Sequence, residues 1–191
     1  MLCTASGSGG DHLRADRNRG WQVRYFRGAA AIFFAGLLLA GCTVAANGDS
    51  KASGCVAGAD RGQSPAGLKQ VTLCITSGAK TRAFTVEVAG TVAEQAKGLM
   101  FRTELADDAG MIFPFPQPRP ASFWMKNTVI PLDIIFVRSN GTIESIAENT
   151  VPYSTDSVVS GEPVAAVLEL RGGLTAELGI AAGDKVVWQA K

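Results

Sequence analysis

The chain has 191 residues, of which 47% are hydrophobic and 18% are charged, and its formal net charge is +1. This composition excludes a fully disordered chain. Nothing in it indicates nucleic-acid binding, which would need a basic face. A chain of this length accommodates one ordinary domain together with a targeting segment.

The N-terminal region has the layout of a secretory leader. Basic residues precede an apolar stretch at 28–41, small residues follow it, and such an order is typical of a signal peptide. The stretch is shorter than the ~20 residues that a membrane-spanning helix needs. We therefore predict that residues 1–41 are a signal peptide; an uncleaved anchor is the alternative.

The end of this leader, Leu39-Ala40-Gly41-Cys42, resembles the lipobox of bacterial lipoproteins. The resemblance implies that Cys42 is lipidated and becomes the mature N-terminus, whose acyl chains hold the protein on a membrane. A simple cleaved signal without lipidation is the alternative. We expect the protein on the periplasmic side of the bacterial cell envelope. In a bacterium with two membranes, Thr43 after the cysteine favours anchoring in the outer membrane.

Loss of the leader changes the chemistry that the chain can perform. The only histidine, His12, goes with it, as do five arginines and two aspartates, which leaves a net charge of −2. Without histidine, the mature chain cannot use Ser-His-Asp or Cys-His catalysis or histidine-ligated zinc.

Residues 42–66 are rich in Gly, Ala and Ser and predict a flexible tether, so that the globular domain spans 67–191. Cys55 lies in this tether and Cys74 lies in the first predicted strand. In an oxidising compartment the two can form a disulfide, although their spacing does not decide it.

The first half of the domain begins with two alternating, β-branched segments at 69–76 and 82–89, separated by Ser77-Gly78, which predict two strands. Thr91 and Glu94 form a capping-box pattern before a short helix that Gly98 ends. Prolines at every second position from 114 to 120 predict a loop or a sheet edge, because proline cannot donate to a ladder.

In the second half, Ser139-Asn140-Gly141 separates two β-type segments at 132–138 and 142–148. Asn-Gly between such segments predicts a hairpin, since both turn positions favour positive φ. A strand at 164–170, a short helix at 174–178 and a last strand at 185–189 follow. These elements predict an α+β, β-rich fold: a compact single domain of short, mostly antiparallel strands with one or two short helices. A small barrel is one form that such a sheet can take.

Several blocks of this domain resemble the family called domain of unknown function 192. They are EQAKGLMFR at 94–102, GMIF at 110–113, FWMKNT at 123–128, IPLDIIF at 130–136 and VLEL at 167–170 followed by two glycines. The resemblance extends over roughly residues 80–190. It implies a single β-rich domain, sometimes secreted or lipid-anchored, and it implies no activity.

The stretch 121–136 contains the candidate site, because polar side chains stand there among apolar ones and must find partners or water. Lys126 and Asp133 suit a structural ion pair, a ligand site with Lys126 as anion anchor, or catalysis by a desolvated Lys126. Glu169 ends an apolar segment and suits a pair with Arg171, Lys126 or Arg102. The candidate ligand-binding residues are Trp124, Lys126, Asn127, Asp133, Arg102 and Glu169.

These residues predict a binding module whose partner is a small molecule or an envelope polymer. The alternative is a hydrolase or transferase that uses Asp133 or Glu169 with Lys126, and a third is a structural accessory protein without a pocket. No catalytic residue, metal or cofactor is assigned. Methionines such as Met111 and Met125 suit a soft metal, but such side chains usually fill cores. The ligand and the oligomeric state stay open.

Overall fold

The described part of the chain, residues 54–189 of a computed structural model, forms strands around one large sheet, with two short helices. The elements are β1 (Asp60–Gln63), β2 (Lys69–Ser77), β3 (Lys80–Val88), α1 (Val92–Lys97), β4 (Ala109–Arg119), β5 (Ser122–Phe123), β6 (Leu132–Val137), β7 (Ile143–Ala147), β8 (Val158–Val159), β9 (Val164–Arg171), α2 (Leu174–Leu178) and β10 (Lys185–Val187). The predicted α+β, β-rich fold class is confirmed.

The large sheet has the order β1-β2-β3-β4-β9-β6-β7, and β10 also pairs with β2. All its pairs are antiparallel except β3 with β4. A few hydrogen bonds join the start of β7 to the segment before β10, including Ile143 N–H to the Asp184 carbonyl at 2.8 Å. The strands nevertheless do not close into the small barrel that the sequence allows.

Alternation along the central strands gives the sheet two buried faces. On β9, Leu168 and Leu170 join the cluster that contains Leu174 of α2, and we call this side the α2 face. Val167 joins the cluster that contains Leu99, which follows α1, and we call this side the α1 face. The central strands therefore have nearly continuous apolar sequences, because both of their faces are covered.

Local sequence signals place the helix and hairpin as predicted. Thr91 and Glu94 form a complete capping box, and Gly98 is the C-cap of α1. The β6–β7 hairpin is also confirmed, but its turn differs from the Asn-Gly prediction because only Gly141 has positive φ, at 79°. A three-residue loop with glycine in the left-handed position needs just one such residue.

The proline-rich segment is part of β4 rather than a loop. β3 accompanies β4 only as far as Ile112, whereas β9 continues beside it to Arg119. Pro114, Pro116 and Pro118 thus fall where one side of the strand has no partner strand, which is where proline is tolerated.

The predicted tether is corrected at its C-terminal end. β1 lies inside the range 42–66 and pairs with β2, so the folded domain begins before residue 67. Cys55 and Cys74 form a disulfide with a Cα–Cα distance of 5.9 Å. The predicted signal peptide, the rest of the tether and the lipidation site Cys42 lie outside the described residues. Within 54–189 no helix has the length and apolarity to cross a membrane.

Candidate functional site

Glu169 is the most unusual polar residue of the described domain. It lies in the middle of β9, is 5% exposed, and its Oε2 atom is buried without a hydrogen-bond partner. Desolvation by burial raises the pKa of its carboxyl group from 4.5 to about 8. At neutral pH the group is therefore mostly a neutral acid that can donate one hydrogen bond.

Sheet geometry explains which side of the sheet Glu169 faces. Its neighbours in register are Met111 of β4 and Ile134 of β6, and both belong to the core of the α1 face. A carboxyl group in this row meets apolar side chains on both sides, which accounts for its desolvation.

A cleft of about 350 Å³ opens over Glu169 on the α1 face. One wall comes from α1 and the residues after it, one from β4, and one from the segment 122–128 that contains β5. The lining residues are Val92, Gln95, Ala96, Lys97, Gly98, Leu99, Met100, Phe113, Arg119, Ser122, Phe123, Trp124, Thr128 and Glu169.

Aromatic rings form much of the apolar lining. Phe113 and Phe123 meet edge to face with ring centroids 5.1 Å apart, an arrangement that the quadrupoles of the two rings favour. Trp124 is 50% exposed and stands at the rim. The cleft therefore offers both a rigid apolar interior and an accessible ring for stacking.

The charged groups at the rim are cationic. Lys97 comes from the last turn of α1, and Arg119 comes from the end of β4, where its guanidinium lies 3.9 Å from the centre of the Phe115 ring. Lys126 is exposed, with its amine 5.1 Å from the centre of the Trp124 ring. Glu169 is the only acidic residue among the lining residues.

Asp133 does not belong to this cleft. It pairs with Leu170 in register, so its side chain points to the α2 face, opposite to that of Glu169. Its carboxylate is fully buried and accepts four hydrogen bonds, from the backbone N–H groups of Asn149, Gly173 and Thr175 and from the Thr175 hydroxyl, at 2.7–2.8 Å.

The role of Asp133 is structural. Gly173 is the N-cap of α2 and has no side chain with which to cap the helix. The carboxylate of Asp133, a residue of β6, accepts hydrogen bonds from the free N–H groups at that helix start instead. The anticipated ion pair between Lys126 and Asp133 is not formed, because Lys126 is exposed beside Trp124 whereas Asp133 is buried on the α2 face with uncharged donors as its only partners.

The remaining predicted residues are divided between two places. Asn127, with φ of 57°, contacts Met100 through its amide nitrogen, 3.8 Å from the sulfur, and its carbonyl accepts the Phe101 N–H. Arg102 forms an ion pair with Glu87 at 2.6 Å in a separate, larger cleft of about 630 Å³. We prefer the smaller cleft as the site, because the buried acid of the larger one already has a partner.

Glu169 has none of the three partners anticipated for it. Arg171 instead bonds Glu177 and Asp107, and these hydrogen bonds raise the pKa of its guanidinium further. Of the six candidates, Trp124 and Glu169 line the cleft, Lys126 stands beside Trp124, and the other three lie elsewhere.

Sequence reasoning missed Arg119, Phe113, Phe123, Thr128 and Lys97 as lining residues. Period-two alternation along β4 was the available signal, since it places Phe113 and Met111 on the same face as each other. The pairing of β4 with β9, which sets that face beside Glu169, has no local sequence signal. No group of three or more metal-ligating residues occurs within the described range.

Comparison with known proteins gives a family and two similar structures. A family model described as Uncharacterized ACR, domain of unknown function 192, matches residues 73–188. A Novosphingobium aromaticivorans protein of unknown function is 50% identical, with a TM-score of 0.67, covering 70% of this chain and 96% of its own. A Sinorhizobium meliloti protein provisionally described as a transcription regulator is 42% identical, with a TM-score of 0.61, covering 62% of this chain and 93% of its own. A search of curated proteins found no match.

Proposed function

This chain belongs to the family described as Uncharacterized ACR, domain of unknown function 192, and we propose that its domain is a ligand-binding module of the cell envelope. The ligand occupies the cleft over Glu169, and Trp124 provides a stacking surface at the rim. Asp133 and Arg102 take no part in binding, because their side chains are engaged elsewhere.

The observation that supports this proposal most is the unpartnered Oε2 atom of Glu169. A buried polar atom without a hydrogen bond costs on the order of 1–3 kcal/mol. A ligand that places an acceptor or hydroxyl group against it recovers that free energy on binding. An unpartnered carboxyl group at the base of an aromatic cleft suits the recognition of a ligand better than it suits the packing of the core.

Support for the envelope location comes from the N-terminal sequence and the disulfide. The lipobox-like segment ending at Cys42 precedes the domain, and acyl chains on that cysteine anchor the protein. The Cys55–Cys74 disulfide suits an oxidising compartment such as the periplasm. The partner at the anchor is thus the membrane, and the partner in the cleft is a small molecule or the end of an envelope polymer.

A hydrolase or transferase is the second candidate, and one observation favours it. An acid with a pKa near 8 is suited to general acid catalysis. The enzyme reading needs a second reactive group in the same cleft. Asp133 lies on the other face of the sheet, and Lys126 does not line the cleft because its amine lies over the Trp124 ring. A binding site requires only Glu169 and the aromatic lining, so we prefer binding.

The test is a ligand screen on the full chain in a non-ionic detergent, followed by the thermal unfolding temperature. A saturating ligand at 100 times its Kd adds about 2.7 kcal/mol of stability. We expect one ligand class to stabilise the wild type and the exposed control Glu148→Gln, and to lose this effect in Trp124→Ala. Equal stabilisation of Trp124→Ala, or no stabilising ligand in a broad screen, would contradict the proposal.

A further inference from the structure

We propose that the ligand of the Glu169 cleft is a small anion with an aromatic or similarly flat apolar body, bound with an anionic oxygen against the Glu169 carboxyl group. This inference rests on the proposed function and names the class of ligand. It follows from the signs of the charges at the rim, from the state of the acid in the interior, and from the lining between them.

The charges that surround the cleft favour an anion. Lys97 enters from α1, Arg119 from β4, and Lys126 stands beside Trp124 at the rim. Charges of one sign around a concave, low-dielectric surface raise the local concentration of ligands of the opposite sign.

The nearby acids do not cancel this bias. Glu94 of α1 does not line the cleft, and its carboxylate accepts hydrogen bonds from the backbone N–H groups of Gly90 and Thr91 at the start of the helix. Glu87 of β3 lies in the same row as Met111 and Glu169, but it is paired with Arg102. Asp133 of β6 faces the other side of the sheet. Glu169 is thus the only acid that a ligand in this cleft meets.

The state of Glu169 decides which ligand charge it accepts. A neutral carboxyl group donates its proton in a hydrogen bond to a carboxylate, phosphate or sulfonate oxygen of the ligand. An ionised carboxylate only accepts, and it would repel the same anion. Anion binding is therefore coupled to proton retention on Glu169, so affinity falls as pH rises above the pKa of this group.

The lining specifies the body of the ligand. Phe113 and Phe123 form a rigid edge-to-face pair, and the half-exposed Trp124 adds a ring at the rim. Flat apolar groups bury well against aromatic surfaces, because apolar area is removed from water on both partners. A planar body fits this lining, with its charged end directed to Glu169 and the cationic rim.

Three probes with the same ring separate the charge classes: benzoate, benzyl alcohol and benzyltrimethylammonium. Each is titrated into the full chain in a non-ionic detergent, and the saturable shift of a carbon-bound ring proton of Trp124, which does not exchange with water at high pH, is followed by ¹H–¹³C NMR. Trp124→Phe identifies the signal. We expect benzoate to bind tightest at about pH 6.5 and to weaken at least about tenfold by about pH 9.5, since each pH unit above the pKa changes the neutral fraction about tenfold.

Two substitutions test which residues cause the pH dependence and the anion preference of binding. Glu169→Gln keeps a hydrogen-bond donor but cannot ionise, so benzoate binding should persist and lose its dependence on pH. Arg119→Gln should weaken benzoate binding about three- to tenfold, whereas the exposed control Lys80→Gln should leave it unchanged.

The outcomes separate this inference from the proposed function. If benzyl alcohol or benzyltrimethylammonium shifts the Trp124 signal with equal or higher affinity, the anion inference is wrong while the binding cleft stands. Benzoate binding that is unaltered between the two pH values in the wild type also overturns the inference. If no probe binds, the inference fails, and the broad screen decides the proposed function separately.

Discussion

Two buried carboxyl groups on paired strands have opposite surroundings. Asp133 accepts four hydrogen bonds and stabilises the start of α2, whereas the Oε2 atom of Glu169 has no partner and borders a cleft. One group serves the fold and the other is available to a ligand. The two also differ in what their substitution should do.

Glu169 should make the protein less stable as pH rises. Its pKa is raised in the folded state, so between about 4.5 and about 8 the unfolded chain loses a proton that the folded chain keeps. The free energy of unfolding falls with pH in this window, because the unfolded state binds fewer protons, and it levels off above it. Each pKa unit corresponds to about 1.4 kcal/mol, so the fall amounts to several kcal/mol.

Urea unfolding at a series of pH values measures this effect. The wild type and Glu148→Gln should both show the fall, and Glu169→Gln should lack it. A wild type whose stability has the same pH dependence as that of Glu169→Gln would show that the acid is not desolvated.

Asp133→Asn should destabilise the protein by about 3 kcal/mol. An amide of the same shape replaces one carboxylate oxygen by an NH₂ group, which then faces backbone N–H groups and leaves buried donors unsatisfied. Chemical denaturation measures the loss, and Asp108→Asn, an exposed acid, is the matched control. Loss of less than about 1 kcal/mol would mean that the four bonds contribute little.

The sequence singled out both acids, because each stands in an apolar segment. It could not distinguish them, since their difference lies in partners that are far away in the chain. The donors to Asp133 come from residues 149, 173 and 175, and the apolar neighbours of Glu169 come from β4 and β6. The ion pair with Lys126 was a wrong expectation for the same reason.

At the level of elements, close strand packing positions Glu169. Gly110 of β4 lies so near β9 that an added Cβ would be 2.7 Å from the Glu169 carbonyl oxygen and 2.7 Å from the Leu170 Cδ2 atom. Only glycine allows the two strands this approach. The cleft therefore depends on a residue that does not line it.

Gly110→Ala should separate β4 from β9 and cost about 1–3 kcal/mol, as overpacking in a core does. It should also weaken probe binding, since Phe113 and Glu169 lie on the two displaced strands. Gly54→Ala is the control, because its Cβ would have no atom within 4 Å. A Gly110→Ala variant as stable as Gly54→Ala would contradict this account of the strand contact.

Elements formed by neighbouring residues were predictable, and their arrangement was not. The capping box at Thr91, the stop at Gly98 and the β6–β7 hairpin depend on residues within a few positions. The parallel pairing of β3 with β4, and the insertion of β9 between β4 and β6, join segments far apart in the chain. No local pattern encodes such a strand order.

For the whole molecule, the disulfide links the first described residues to the sheet. Cys55 and Cys74 are 19 residues apart, and Cys74 is a buried residue of β2. The bond fixes the segment that carries β1, which the sequence had assigned to the tether. The folded domain thereby gains an edge strand that composition alone did not predict.

Replacing both cysteines by alanine should lower the stability by about 3 kcal/mol, the value for closing a loop of this length in the unfolded chain. Guanidinium unfolding of the double variant gives this number, and the reduced wild type is the comparison that keeps the side chains unchanged. If reduction leaves the unfolding midpoint unaltered, the disulfide does not contribute to the stability of the domain.

The account depends most on Glu169 being a buried, neutral acid that faces a ligand cleft. The direct measurement is the pH titration of its side-chain carboxyl carbon by ¹³C NMR, assigned by comparison with Glu169→Gln. We predict a midpoint near 8, as burial implies. A midpoint near 4.5, the ordinary value for glutamate, would show a solvated carboxylate and contradict the proposed site.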